Sequence, residues 1–341
     1  MAAQIRKGRL PFRLPFGTTP ATVLAIAGVI GWQRYRRSRE QELIRQGLPP
    51  LWPAWKVNLY YSLPSRGFSR LFGSLCEAEL PVMLRRPLLG AYAWFYGCNL
   101  DEASTPDLTK YNSLADFFNR PLREDARPVS ANCLVSPSDG FALSVGQVED
   151  GKIEQVKGLD YALADFMAGN LLDTSNNNKS ARPSLNYCVI YLAPGLYHGF
   201  HSPTDWTISL RRHIAGELLS VREKLLKRVP RLLCRNERVV LTGRWKHGFF
   251  SMTAVGATNV GNIRIHQDPL RTNRRETRSG AVDDRRYSGK QERQAMKGEK
   301  VGEFRLGSTV VLVFEAPPNL HFCVRPGDRV SLGQSLAYLV D

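Results

Sequence analysis

Paired cysteines are missing from this chain. Its six cysteines, Cys76, Cys98, Cys133, Cys188, Cys234 and Cys323, form no C-x-x-C and no short paired spacing, which excludes a zinc site or a dense disulfide framework built from them. They read as small buried hydrophobes. The H-E-x-x-H pattern is absent too, so His198 and His201, three residues apart, have no patterned partner for a metal and none is expected. No nucleic-acid motif or basic aromatic platform accompanies the formal net charge of +16, and no nucleic-acid partner is expected. Acid is lacking at the start: residues 1–39 carry Arg6, Lys7, Arg9, Arg13, Arg34, Arg36, Arg37 and Arg39 and no Asp or Glu before Glu40. Half of the excess charge is therefore concentrated in the leader.

An Arg-rich, acid-free start is what a mitochondrial presequence needs, because the membrane potential draws a positive amphipathic segment inward. Residues 1–13 fit that part. Leu14 to Gln33 is a run of 20 uncharged residues, with Val23, Leu24, Ile26, Val29, Ile30 and Trp32 at its apolar heart. It is long enough to cross a bilayer as a helix, with Trp32 and the following arginines as interfacial anchors, although Pro15 and Pro20 shorten the confident part. The expectation is a single anchor over 14–33 in the mitochondrial inner membrane, with the rest of the chain facing the intermembrane space. The cationic flank alone does not fix that topology, since an imported protein need not obey the positive-inside bias.

Residues 34–54, charged and then rich in proline, read as a linker to a body spanning 55–341. The expected fold class is α+β. Helices come first, over roughly 55–99, where Tyr92, Trp94, Phe95 and Tyr96 beside Arg85 and Arg86 suit either a core or a membrane-surface face. From Val135 onward, short β-branched and aromatic runs such as Tyr187 to Leu192, Arg238 to Leu241, Phe249 to Val255 and Thr309 to Phe314 predict a mainly β body. Two polar inserts, 173–184 and 271–294, read as exposed loops. The end of the chain, Val324 to Val340, has a Pro-Gly-Asp turn and a Gly turn between short strands. It resembles half of a barrel-sandwich hybrid as in lipoyl and biotinyl carriers, without their modified lysine.

Chemistry concentrates in three segments. Phe304 to Phe314 sets a Gly307-Ser308 bond where a charged stretch enters an apolar strand. Gly307 has no Cβ, which leaves its carbonyl open to attack by the Ser308 hydroxyl. That attack makes an ester, and elimination followed by hydrolysis leaves a pyruvoyl group on Thr309. A serine hydroxyl needs a base, and a histidine base needs its tautomer fixed. Val135 to Leu143 offers Asp139 in a turn, and Tyr191 to Pro203 offers His198 and His201, so Asp139, His201 and Ser308 can supply a relay. The same three residues also suit an Asp-His-Ser hydrolase acting on an external ester, although the G-x-S-x-G elbow is absent. A membrane-anchored lipid-binding protein that has lost its chemistry is the other reading. His213, His247, His266 and His321 have no patterned nucleophile or acid beside them and are expected to be structural.

Leu306-Gly-Ser-Thr309, Ser136-Pro-Ser-Asp-Gly140, Tyr197-His-Gly-Phe-His201 and Phe117-Phe-Asn-Arg-Pro-Leu-Arg123 together resemble the signature blocks of phosphatidylserine decarboxylases. The leader and anchor are similar to the mitochondrial type. The resemblance covers roughly residues 55–341. It implies self-cleavage between Gly307 and Ser308, with Asp139 and His201 serving the cut, Ser308 as precursor of a covalent pyruvoyl cofactor, and His198 assisting decarboxylation as proton donor or carboxylate-positioning group. The implied reaction takes phosphatidylserine in a membrane to phosphatidylethanolamine and carbon dioxide through a Schiff base. The two products of the cut, a β chain ending at 307 and an α chain of 308–341, are expected to stay associated. The family's usual basic residue after the first histidine is Gly199 here.

Overall fold

The structure, a computed structural model, describes residues 20–46, 51–156, 159–171, 184–258, 262–289, 292–304 and 308–340. The chain divides into two compact units, residues 1–50 and 51–341. In the first, α1 runs over Pro20–Arg45, with Pro20 at the first helical position where its missing N–H costs nothing. Residues 34–45 thus continue a helix rather than starting an irregular joint. Among the described residues no helix is long and apolar enough to cross a membrane. The apolar part of α1 lasts only until Arg34, and residues 14–19 of the expected anchor lie outside the described residues, as does the presequence.

The second unit begins with α2 (Ala54–Tyr61), α3 (Ser65–Glu77) and α4 (Val82–Tyr96), as the aromatic-rich stretch predicts. α4 ends at Gly97, whose φ of 64° provides the left-handed cap that halts the helix. Its inner face buries Leu89 and Ala93 against Tyr111 and Phe117, the latter on the short helix α5 (Leu114–Phe118). Ser113 caps α5 by accepting a hydrogen bond from the Asp116 N–H. The outward faces of α3 and α4 stay apolar: Phe68, Leu71, Leu75, Met83, Trp94 and Phe95 are all exposed.

The β body contains β1 (Leu134–Val135), β2 (Gly140–Gln147), β3 (Lys152–Val156), β4 (Leu159–Ala162), β5 (Ser184–Leu192), β6 (Gly199–His201), β7 (Trp206–Ile214), β8 (Arg238–Trp245), β9 (Gly248–Val255), β10 (Ile263–Ile265), β11 (Val282–Arg286), β12 (Arg293–Ala295), β13 (Lys300–Phe304), β14 (Ser308–Ala316), β15 (Leu320–Phe322), β16 (Arg329–Val330) and β17 (Ser335–Leu339). A nine-stranded antiparallel sheet runs β11-β7-β8-β9-β14-β5-β2-β16, with β12 also on β7. β14 lies inside it between β5 and β9, and Val310, Val311, Leu312, Val313 and Phe314 are fully buried. A strand covered on both faces must be continuously apolar, which is why it is legible in the sequence. Two small sheets, β10-β13-β6 and β1-β17-β15, stand beside the large one.

One expected loop needs correction. Residues 271–294 contain β11 and part of β12, laid along the edge of β7. All five residues of β11 are exposed, so the polarity was a true signal, but the backbone is paired. Charge holds the register. Asp284 takes a two-point pair from Arg212 at 2.8 and 2.7 Å, and Asp283 pairs with Arg211. The other polar insert, 173–184, lies almost wholly outside the described residues. The Pro-Gly-Asp turn forms as expected, with the Asp328 N–H donating to the Arg325 carbonyl at 3.0 Å. Its flanking strands go to different sheets, β15 to β17 and β16 to β2.

Candidate active site

Sheet register brings the three chemical segments to one end of β5. Tyr191 faces Phe141 on one flank and Thr309 on the other, while Leu192 faces Ser308. The Asp139-Gly140 turn and the start of β14 therefore lie on opposite sides of the same strand end. β6 closes the group. The His201 N–H donates to the Pro137 carbonyl at 2.7 Å, and the Phe304 N–H donates to the His198 carbonyl at 3.0 Å, four residues before Ser308. Gly307 lies outside the described residues.

Ser308 is fully buried, and among the described residues its Oγ has no hydrogen-bond partner; neither has the Oγ1 of Thr309. Thr309 is held from both sides, opposite Tyr191 and Val255. Buried hydroxyls without partners are uncommon in a settled core, and two in succession mark a place where something else is to be bonded.

His198 is fully buried as well. Its Nδ1 lies 2.7 Å from the Leu196 carbonyl, which can only accept, so Nδ1 carries the proton and Nε2 keeps its lone pair, pointing at no partner. The ring packs 4.0 Å from that of Phe118, centroid to centroid. Desolvation pushes the His198 pKa down to about 3, against a partial rise from the Leu196 hydrogen bond and a further lowering by Arg120. The resting residue is a neutral acceptor.

His201 donates from Nδ1 to the Gly298 carbonyl at 2.8 Å, and its Nε2 lies 3.1 Å from the Tyr197 hydroxyl. Burial lowers its pKa, offset in part by the Gly298 hydrogen bond. The expected relay is therefore not a closed hydrogen-bonded chain: among the described contacts, Asp139 does not touch the imidazole and His201 does not touch Ser308. Asp139 instead takes both ends of the Arg127 guanidinium, at 2.9 and 2.7 Å, and accepts the Leu332 N–H at 2.8 Å. Arg127 reaches on to Glu102 at 2.7 Å, and these hydrogen bonds raise its pKa.

A family model described as phosphatidylserine decarboxylase matches residues 114–338. The chain belongs to the phosphatidylserine decarboxylase family. It is 44% identical over 353 residues to the mitochondrial phosphatidylserine decarboxylase proenzyme of Rattus norvegicus, covering 96% of this chain and 87% of the relative. Identity is 50% over 285 residues with the mitochondrial proenzyme of Caenorhabditis elegans, covering 83% and 73% of the two chains. It is 35% over 405 residues with mitochondrial proenzyme 1 of Schizosaccharomyces pombe, covering 96% and 92%.

The sequence singles out Asp139, His198, His201 and Ser308 but not the side chains bonded to them. Arg127 lies only 12 residues before Asp139, but nothing marks it among 47 basic residues. Tyr197 lay inside a quoted motif without a role. The loop carrying it is pinned by α4, where the Tyr92 hydroxyl donates to the Pro194 carbonyl at 2.9 Å. His213 Nε2 also lies 2.8 Å from Glu237 Oε1, a buried contact between residues 24 apart in sequence. No group of three or more His, Cys, Asp and Glu that could hold a metal occurs among the described residues.

Proposed function

We propose that this chain is a proenzyme that cuts itself between Gly307 and Ser308 and then decarboxylates phosphatidylserine with the pyruvoyl group so formed. The observation that carries this reading is the fully buried, unpartnered Ser308 hydroxyl at the head of β14, in a chain of this family. In the cut, Ser308 Oγ bonds to the Gly307 carbonyl carbon as its proton leaves; the C–N bond breaks and the nitrogen takes a proton, giving an ester. Loss of the Cα proton of Ser308 expels the Gly307 carboxylate. The dehydroalanine left behind takes up water and releases ammonia, leaving the pyruvoyl on Thr309.

His201 is the proposed base, neutral because burial keeps its pKa low. Its Nε2 becomes available when the Tyr197 hydroxyl turns away. Asp139 serves the same step through the backbone: it clamps the turn whose Pro137 carbonyl receives the His201 N–H. An external hydrolase has less support, since the Nδ1 of His201 is on Gly298 rather than a carboxylate.

The residues present fit a pyruvoyl group. Thr309 is fixed between two strands, and the buried Oγ1 of Thr309 and Nε2 of His198, without partners among the described residues, offer bonding positions. When formed, the group supplies a ketone that takes the substrate amine and accepts the electron pair left by departing carbon dioxide. His198 then accepts a hydrogen bond or proton at Nε2, and it excludes water together with Phe118. The exposed apolar faces of α3 and α4 suit contact with the membrane that carries the substrate. We assign the chain to mitochondria, in keeping with the names of its relatives, with 1–13 as presequence and 14–33 as inner-membrane anchor.

Intact mass of purified protein tests the reading. Wild type should give a C-terminal fragment of residues 308–341, blocked at its first residue, held with the larger piece. Ser308→Ala should give one uncut, inactive chain. An uncut wild-type chain that still releases carbon dioxide would overturn it.

A further inference from the structure

Arg120 is buried to 3% exposure, yet no carboxylate pairs with it among the described residues. Among the described residues its Nε has no partner, and the hydrogen bond from Nη1 to the Phe117 carbonyl is stretched to 3.5 Å. The guanidinium stands 5.2 Å from the Phe117 ring centroid. Other buried arginines are provided for differently: Arg238 donates to four backbone carbonyls, and Arg85 to two carbonyls and Glu79. A buried guanidinium nitrogen without a partner destabilises the fold unless water or an anion satisfies it.

Its position says which anion. Arg120 follows α5, where Phe118 packs 4.0 Å from the His198 ring. Above it lies α4, whose Tyr92 touches both Phe117 and Phe118, at 6.2 and 6.4 Å between centroids. On the far side of that helix Trp94 and Phe95 are exposed. Arg120 thus lies next to the α5 aromatics that pack between α4 and His198, close enough for its charge to act on that ring.

We propose that Arg120 holds the phosphodiester of the substrate headgroup. This rests on the decarboxylase reading. Of the two anions on phosphatidylserine, the carboxylate loses its charge as carbon dioxide leaves, so a cation bonded to it would favour the ground state and slow the reaction. The phosphodiester keeps its charge throughout. Holding it fixes the serine moiety at no cost to the chemical step, and the guanidinium fork matches two phosphate oxygens.

The test uses the full chain with phosphatidylserine in mixed micelles. Arg120→Met should be cut like wild type, melt at the same or a higher temperature, and show KM raised at least tenfold with kcat within about threefold. A purely structural arginine would instead lower the melting temperature. Arg120→Lys keeps the charge and loses the fork, and should raise KM at least threefold; a Lys variant with wild-type KM overturns the proposal even where the Met variant does not fold. Glycerophosphoethanolamine has the phosphodiester without the carboxylate, and free serine the reverse. The first should compete with substrate on wild type and weaken at least tenfold on Arg120→Met, with serine indifferent to the change. Serine inhibition that depends on Arg120 overturns the proposal in favour of the carboxylate. Wild-type protein that never turns over phosphatidylserine refutes the decarboxylase reading instead, a result visible before any variant is made.

Discussion

Tyr197 donates its hydroxyl proton to Nε2 of His201 across 3.1 Å, so the lone pair the proposed base needs is already occupied. The arrangement exists because residue 199 is glycine: a Cβ there would collide with the Tyr197 hydroxyl. Glycine at 199 is therefore what lets the phenol fold back onto the histidine.

Removing the phenol should free the base. In Tyr197→Phe, self-cleavage is expected to proceed at least as fast as in wild type, followed as the fraction of cut chain against time after synthesis. Gly199→Ala should push the ring aside and resemble Tyr197→Phe, and the double variant should add nothing further. Arrested cleavage in Tyr197→Phe would make the tyrosine a proton carrier rather than a restraint.

His198 should make the fold sensitive to acid. Its folded pKa, about 3, lies below the ordinary histidine value of 6.5, so between those limits the unfolded chain binds a proton the folded chain refuses. The stabilisation is complete above pH 6.5 and is lost as pH falls; by pH 5 the loss is about 2 kcal/mol. His198→Asn keeps the donation to the Leu196 carbonyl and removes the titration. Urea unfolding of uncut Ser308→Ala protein should therefore lose more stability from pH 7 to pH 5 than the same protein with His198→Asn. Equal losses would mean that the imidazole is less enclosed than its surroundings indicate.

The clamp on the Asp139 turn has a structural cost of its own. Asp139→Asn leaves the Arg127 guanidinium facing an amide, with Glu102 as its remaining carboxylate. Breaking one side of such a pair should cost about 2–3 kcal/mol, at the low edge of what buried pairs show because Glu102 stays. Urea midpoints in the uncut background measure that cost without interference from cleavage. On the proposed role of Asp139 in positioning Pro137, Arg127→Gln should slow cutting too, though among the described contacts it touches neither His201 nor Ser308. Cutting at the wild-type rate in both variants would remove Asp139 from the processing step.

How far the sequence discloses this fold depends on what each element is bonded to. β14, β9 and β5 declare themselves, since buried strands in a sheet covered on both faces must be apolar and β-branched. β11 does not, because Asp283 and Asp284 pair with arginines more than 70 residues away, on β7, and charge complementarity has no signature until the partner is known. The site divides in the same way. Asp139, His198, His201 and Ser308 stand out by type and local spacing. Their partners are backbone groups such as the Gly298 carbonyl and Leu332 N–H, which every residue possesses and only the fold can select.

The apolar outer faces of α3 and α4 make a prediction about the membrane. Met83, Trp94 and Phe95 are 83%, 82% and 70% exposed, and Phe68, Leu71 and Leu75 extend the surface along the neighbouring helix. Fully burying one such side chain yields roughly 1.5–3 kcal/mol, so losing two that are half-inserted should cost about 2 kcal/mol of membrane affinity, more than tenfold in partitioning. Trp94→Ser with Phe95→Ser should weaken co-sedimentation of residues 51–341 with phosphatidylserine vesicles by at least that factor. The core side of α4, built on Leu89 and Ala93, is untouched, so the melting temperature should hold and self-cleavage continue. The anchor region is left out of that fragment so that binding reports on these faces alone. Undiminished binding would assign the exposed aromatics to a partner other than lipid.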